Sequence, residues 1–214
     1  MALTDSGRVE AFSDGVLAIA ITLLVLDLRV PARDDLHGAS LASALSHQWP
    51  AYAAYLVSFL TIGIMWVNHH AMFTQVRQVD RPVLFANLAL LLAVSFLPFP
   101  THLLAEYLTA DGRDAHTAAA VYSATMLAVG LAFSVLWLAI TRTAGLLHAH
   151  LDRAAGRAAL RRFGVGSVAY AGTVALSFVN AYATLAVHGA LALYYCFDQL
   201  ATSGRAPVPE PGAE

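Results

Sequence analysis

Hydrophobic positions in this chain gather into long stretches that contain no Arg, Asp or Glu. Three such stretches occupy residues 48–72, 83–104 and 117–141, and they consist mainly of Ala, Leu, Val and aromatic residues. About 20 helical residues cross a hydrocarbon layer about 30 Å thick. Each stretch is therefore long enough to predict one membrane-spanning helix.

A fourth uncharged stretch is too long for one span. It runs from Phe163 to Phe197, and at about 1.5 Å per residue it would form a single helix of about 52 Å. We therefore predict two spans, at about 163–180 and 182–200, joined by a tight turn near Asn180.

The first apolar segment differs from the others because its uncharged part, Gly15 to Leu26, is short. Acidic residues, Asp14 and Asp27, flank it on both sides. Intramembrane carboxylates face a bundle interior or a water-filled cavity rather than lipid. We predict a helix at about 13–30 that lines a water-filled path.

Together these segments predict an all-α integral membrane protein with six transmembrane helices in a domain at 1–202. Residues 203–214 are rich in proline, which predicts a disordered tail. With the N-terminus inside, nine of the twelve arginines fall on the inner side. Because cytoplasmic loops collect positive charge, we expect both termini in the cytoplasm and the chain in the plasma membrane.

Composition narrows the function classes. Apolar residues make up 58% of the chain and charged residues 12%, against about 25% charged in soluble proteins. All basic residues are arginine and the net charge is −2, so no basic face is available for nucleic acid. Phosphate-loop, zinc-protease and serine-nucleophile motifs are absent. We expect neither an enzyme nor a cofactor.

The start of the first helix carries polar residues with two possible roles. Ser13 or Asp14 is a candidate N-cap, because side-chain oxygens accept from free backbone N–H groups. Arg8 is a candidate ion-pair partner for Asp14 or another acid. In the second span His69 and His70 are adjacent, so they point about 100° apart and are poorly placed to share one metal ion.

These residues resemble a known family. Arg8, Phe12, Ser13 and Asp14 form the Arg-x-x-x-Phe-Ser-Asp signature of the transmembrane protein 175 potassium channels. The likeness continues with Trp66-Val-Asn-His69-His70, with Asn87, and with Ser95-Phe-Leu-Pro98. It covers most of residues 8–100 closely and the later spans only in hydropathy.

The resemblance implies a homotetramer that conducts potassium ions across the lipid bilayer, with the first helices around the path. It gives Ile19 as the constricting aliphatic residue, and Leu23 and Leu26 follow on the same helical face. Without the resemblance, ordinary helix packing would explain this stripe. Thr22 has two interpretations: a hydroxyl ring for a dehydrating cation, or back-bonding to its own helix.

The resemblance also implies a structural network that holds the first three spans together. Its members are Arg8, Phe12, Ser13, Asp14, Trp66, His69 and Asn87. Taken alone, Trp66 is equally typical of a membrane-interface residue and His69 of a packed core residue.

The predicted function is a potassium-permeable cation channel with a hydrophobic side-chain constriction, since no TVGYG carbonyl filter is present. The alternative is a proton-coupled secondary transporter that uses Asp14, Asp27 and His69 as a relay. The sequence shows no internal repeat, and it predicts no span broken by Gly or Pro. Internal repeats and broken spans are usual in secondary transporters, so their absence from the sequence argues against this alternative.

Overall fold

The computed structural model describes residues 4–32, 40–110, 112–142, 146 and 166–203, with side chains up to residue 197. It is a helical bundle with one two-residue strand pair. Most of the predicted tail at 203–214, and the first residues of the predicted span at 163–180, lie outside the described residues.

The N-terminus is fixed to the loop between the second and third long helices. Strand β1, Thr4–Asp5, pairs antiparallel with β2, Gln78–Val79. Helix α1 then runs over Ser6–Leu23 and continues as a 3-10 segment at Leu24–Asp27. The carboxylate of Asp5 accepts from the backbone N–H of Gly7 at 3.1 Å and caps α1.

This start corrects two expectations. The helix predicted at 13–30 begins at Ser6, so Ser13 and Asp14 lie inside the helix and neither of them caps it. The cap is Asp5, which the strand pairing holds beside the first free N–H groups. Hydropathy did not reveal this start because the first turns of α1 carry Arg8 and Glu10.

Two helices follow on the chain. Helix α2, Leu41–His47, is short and is capped by Ser40, whose hydroxyl accepts from the N–H of Ser43. Helix α3, Trp49–Phe73, is long enough to cross a bilayer. Pro50 stands in its first turn, where a missing N–H costs nothing.

The third predicted span is broken. Helix α4, Arg81–Ser95, starts at the cap residue Asp80. Helix α5, Pro98–Tyr107, follows after two residues. Pro98 has no N–H to continue the helix, and its ring would clash with the carbonyl four residues earlier. The span predicted at 83–104 is present as the segment Arg81–Tyr107 but consists of two helices, so the expectation that no span is broken by proline is wrong.

A buried chain of hydroxyl groups lies beside this break. The Thr101 hydroxyl donates to the Leu97 carbonyl at 2.8 Å. Its oxygen must then accept from Ser58 Oγ at 2.8 Å, and Ser58 must accept from Tyr122 at 3.0 Å. These hydroxyl groups connect α3 and the helix that follows α5 to the first turn of α5. The connection fixes the direction of α5.

Three helices lie among the described residues of the last part of the chain. Gly112, with φ of 69°, takes the left-handed conformation that glycine favours in the turn before α6, Arg113–Arg142. Helix α7 covers 166–177 among the described residues, and a turn at 178–179 leads to α8, Ala181–Ser203. Asn180 Oδ1 accepts from the N–H of Ala183 at 2.9 Å and so supports the start of α8.

The bundle packs around α3. Helices α1, α5 and α8 contact α3, and α4 and α5 contact α6. The largest side chains that are fully buried include Tyr122, Phe73, Ile62 and Leu90. Ser123 Oγ and His188 Nε2, 3.0 Å apart, join α6 to α8.

Four segments of the described residues are long and apolar enough to cross a membrane: Ser6–Asp27, Trp49–Phe73, Arg81–Tyr107 and Arg113–Arg142. A fifth apolar helix covers Ala181–Phe197. The helical, membrane-spanning class is thus confirmed, while the count of six remains a prediction.

Candidate functional site

Helix α1 packs one face against its neighbours and leaves the other uncovered in the single chain. Leu17, Ala20 and Leu24 on the packed face are at most 3% exposed. On the opposite side, Ile19, Leu23 and Leu26 are 61%, 42% and 72% exposed. The three predicted constriction residues therefore form an uncovered aliphatic stripe, which internal packing of this chain does not explain. We call Ile19, Leu23 and Leu26 the α1 stripe.

Thr22 lies beside the α1 stripe. Its hydroxyl donates to the carbonyl of Ala18 at 2.9 Å or to that of Ile19 at 3.0 Å. The structure thus has the back-bonded arrangement, which is one of the two predicted. A hydroxyl that donates its hydrogen keeps acceptor capacity on its oxygen.

A buried neutral network joins α1, α3 and α4 near the N-terminal half of α1. Ser13 donates to the Val9 carbonyl at 2.8 Å, so its oxygen accepts from Asn87 Nδ2 at 2.9 Å. The other amide atom, Asn87 Oδ1, lies 2.9 Å from His69 Nε2 and accepts from it. All three side chains are buried. The sequence prediction named these three residues, and the structure brings them together.

The hydrogen bond to Asn87 also defines the tautomer of His69. With its hydrogen on Nε2, a neutral ring has Nδ1 as an acceptor, and this buried Nδ1 has no hydrogen-bond partner among the described residues. The ring stacks on Phe73 with centroids 4.3 Å apart. His69 is therefore held on two sides in the core.

A second pair of contacts joins α1 to α3 nearer the surface. Trp66 Nε1 donates to Asp14 Oδ1 at 3.0 Å, and His70 Nδ1 lies 2.7 Å from Glu10 Oε1. The pairs are one helical turn apart on antiparallel helices. Sequence reasoning missed Glu10 and His70, although each stands four residues from a predicted member of the network.

Arg8 and Phe12 are placed differently from the rest of the predicted network. Both side chains are exposed, and no described acid lies within ion-pair distance of Arg8. The pairing of Arg8 with Asp14 is therefore not present within the single chain. His69 and His70 bind to different helices, in agreement with the 100° between neighbouring positions.

The 3-10 segment after α1 ends in a cluster of charged side chains, which we call the Asp27 cluster: Asp27, Arg29, His102 and Glu106. Asp27 Oδ1 lies 3.2 Å from His102 Nδ1. Arg29 Nη2 lies 3.4 Å from His102 Nε2, and its Nη1 lies 3.8 Å from Glu106 Oε2. The sequence prediction noted Asp27 but missed His102 and Glu106, which α5 brings to it from far along the chain.

Among the described residues, no group of three or more His, Cys, Asp or Glu side chains is arranged to hold a metal ion. The site therefore consists of an aliphatic stripe between two sets of polar contacts. Beside the stripe, the Thr22 hydroxyl oxygen keeps acceptor capacity while its hydrogen is donated to the helix.

Known proteins include relatives that match most of this chain. Residues 8–98, which cover α1 from Arg8 onward and all of α2 to α4, match the family described as endosomal/lysosomal potassium channel TMEM175. A potassium channel of Streptomyces collinus is 56% identical over 207 residues, covering 97% of this chain and 96% of that protein. A potassium channel of Chamaesiphon minutus is 42% identical over 192 residues, or 90% of this chain and 94% of its own length.

The fold agrees as well. The crystal structure of a lysosomal potassium-selective channel TMEM175 homolog from Chamaesiphon minutus superposes with a TM-score of 0.81 at 41% identity. The match covers 90% of this chain and 97% of that one. These relatives are named channels and not enzymes. This multi-pass membrane protein belongs to the TMEM175 family.

Proposed function

We propose that this chain is the subunit of a potassium-permeable cation channel in which α1 lines the ion path. The observation that carries the proposal is the α1 stripe: three aliphatic side chains on one face, uncovered, on a helix whose other face is packed. The naming of the two relatives as potassium channels supports the choice of ion.

Several copies are required because one helix about 10 Å across cannot enclose a path. Four helices around an axis leave a gap that Ile and Leu side chains can seal, whereas two leave no gap and six leave a hole too wide for aliphatic dewetting. A closed homotetramer with the α1 stripe facing the axis satisfies these limits.

Ile19, Leu23 and Leu26 would then form three aliphatic rings, which stop ions by excluding water and need no charge. Ile19 is the narrowest point by its position after the Phe-Ser-Asp of the family signature. Thr22 contributes a ring of hydroxyl oxygens, which remain acceptors while their hydrogens bond to the helix. Because eight carbonyl oxygens are not available to replace hydration, selectivity for potassium over sodium is modest.

The subunit has six spans and lies in the plasma membrane. Both of its termini are in the cytoplasm. The four long candidate spans and the apolar helix Ala181–Phe197 support five of these spans. Helix α7, at 166–177 among the described residues, supports the sixth. The arginine distribution supports the orientation.

A proton-coupled transporter is the weaker alternative. The related proteins are named channels, and the candidate relay residue His69 bonds to Asn87 in a buried network rather than to a second titratable group. Discrete unitary currents distinguish the two classes, because a carrier turns over too slowly to produce them.

The test is a recording of purified protein in planar bilayers under opposed potassium and sodium gradients. We expect unitary currents with a reversal potential toward that of potassium. Ile19→Asn should raise the unitary current by about twofold or more and move the reversal potential toward zero, since a polar ring no longer excludes water. Each variant must elute at the same assembly mass as the wild type.

Leu92→Asn is the matched control. Leu92 lies on α4 and is as exposed as Leu26, but it is outside the α1 stripe. Currents that Leu92→Asn changes as much as Ile19→Asn, or a wild type without unitary currents, would contradict the proposal.

A further inference from the structure

Helices α1 and α3 leave a groove between them on the flank of the α1 stripe. Its walls include Ala18 and Ile21 of α1 and Ile62 and Gly63 of α3, and its volume is about 210 Å³. An apolar cavity of about 150 Å³ is large enough to bind benzene. The groove can therefore hold an organic group rather than only a few water molecules.

Gly63 makes room in this groove. A Cβ placed on Gly63 would meet no atom of another helix within 4 Å. Glycine destabilises the interior of a helix relative to alanine, and close packing against a neighbour does not account for it at this position. The effect of Gly63 is therefore to leave space between the two helices.

One end of the groove is polar. Asp14 and Trp66 lie there, and Trp66 Nε1 donates to Asp14 Oδ1 at 3.0 Å. A carboxylate has two oxygens and about four acceptor sites, so this bond leaves most of the acceptor capacity of Asp14 available. Trp66 is half exposed, and the face of an indole ring attracts cations.

No cation among the described residues pairs with Asp14. Glu10, one turn away, lies 2.7 Å from His70, whereas Asp14 takes part in no ion pair in the described part of the chain. Asp14 belongs to a candidate membrane span, where acidic side chains pair with another group or face water. The polar end of the groove therefore offers a carboxylate and an aromatic ring to an incoming cation.

The other end of the groove is apolar. From Asp14 to Ile21 the groove follows seven residues of α1, which is about 10 Å at about 1.5 Å per residue. On α3, Ile62 lies about one turn from Trp66. A ligand that matches both ends has a cationic head and a straight apolar tail of about 10 Å.

The groove is separate from the face of α1 that carries the stripe. At about 100° per residue, Ala18 and Ile21 lie about 100° and about 160° around the helix from Ile19. A ligand in the groove therefore contacts the flank of α1 and leaves the exposed face of Ile19 uncovered.

We propose that the groove between α1 and α3 binds a single-chain alkylammonium ion. Its ammonium group donates to the Asp14 carboxylate beside the ring of Trp66, and its chain lies along Ile21 and Ile62, over Gly63. An anion of the same shape is repelled by Asp14, and a neutral alcohol lacks the charge-assisted hydrogen bond. This inference goes beyond the proposed channel function, because it holds whether or not the protein conducts potassium.

The experiment is a titration of the purified assembly in mixed micelles with octylammonium, whose extended chain is about as long as the groove. Trp66 reports binding in a protein whose other two tryptophans, Trp49 and Trp137, are replaced by phenylalanine. We expect a saturable change in Trp66 emission, with half-saturation at a concentration about tenfold or more below that for octanol. Octanoate should produce no saturable change.

Two variants in this background locate the site. Asp14→Asn keeps an oxygen that accepts from Trp66 but removes the charge, so octylammonium and octanol should reach half-saturation within about twofold of each other. Gly63→Leu fills the groove and should abolish saturable binding of both compounds.

Gly172→Leu is the matched control for the added side chain. Gly172 lies on α7, is exposed, and a Cβ placed on it also meets no atom of another helix within 4 Å. This variant should bind octylammonium as the unsubstituted background does. Each variant must elute at the assembly mass of the wild type, and Asp14→Asn decides the question if Gly63→Leu does not assemble.

The proposal is overturned if octylammonium and octanol reach half-saturation at the same concentration, if Asp14→Asn retains the preference for octylammonium, or if Gly63→Leu binds like Gly172→Leu. Absence of any saturable change in the intact assembly also overturns it, and indicates that a second copy of the chain covers the groove. Normal octylammonium binding by a protein without unitary potassium currents contradicts the proposed channel function alone.

Discussion

The N-terminal half of α1 carries a buried neutral hydrogen-bond network, whereas the 3-10 segment at its other end has its polar contacts among partly exposed charged side chains. Ser13, Asn87 and His69 are each at most 1% exposed. Arg29 and Glu106 have side chains that are 64% and 53% exposed. Buried polar groups are costly to leave unpaired, while exposed ion pairs contribute little and weaken with salt. We therefore expect the polar contacts of the first half of α1 to contribute more to the free energy of unfolding than those at the 3-10 segment.

Asn87→Ala should produce the largest effect on stability. It leaves the Nε2 hydrogen of His69 buried without an acceptor, and a buried unsatisfied donor costs about 1–3 kcal/mol. Denaturant titration in mixed micelles should show that loss in the free energy of unfolding. Leu88→Ala, one position away and half exposed, is the control. Equal losses for the two variants would show that the network does not stabilise the fold.

The bond between Trp66 and Asp14 should give a smaller effect, because Trp66 is half exposed. A double-mutant cycle of Trp66→Phe and Asp14→Ala should yield a coupling of about 1 kcal/mol. The same cycle for Arg8→Ala and Asp14→Ala should yield none, since Arg8 has no ion pair among the described residues. We expect an unchanged potassium/sodium ratio in every variant; an altered ratio with normal assembly would contradict a structural role.

Glu106→Gln should have the smallest effect. It removes an exposed ion pair at 3.8 Å, so the free energy of unfolding should change by less than about 1 kcal/mol. Raising the salt concentration should remove even this difference between variant and wild type. A loss as large as that of Asn87→Ala would contradict the distinction between the two ends of α1.

Sequence reasoning predicted well wherever a signal is local. Uncharged stretches indicated three of the four long spans, and the residues Ser13, Asp14, Trp66, His69 and Asn87, which the family resemblance named, do meet in the structure. It failed at the start of α1, where the charged residues Arg8 and Glu10 interrupt the hydropathy signal while the helix continues through them.

Other features depend on distant parts of the chain. Contact between Asp27 and His102 requires α5 to lie beside the 3-10 segment, which no spacing in the sequence indicates. Pro98 was visible, but proline in a span indicates either a kink or a break, and neighbouring hydroxyl groups decide which. The exposed position of Arg8 is likewise a property of the folded chain.

The strand pair at Thr4–Asp5 and Gln78–Val79 has a mechanical consequence for α1. Main-chain hydrogen bonds attach the helix at its first turn to the loop before α4, so that end is a fixed pivot. A rod held at one end tilts or bends but does not slide. If α1 moves, the displacement of its side chains should therefore increase from Ile19 to Leu26, with distance from the strand pair.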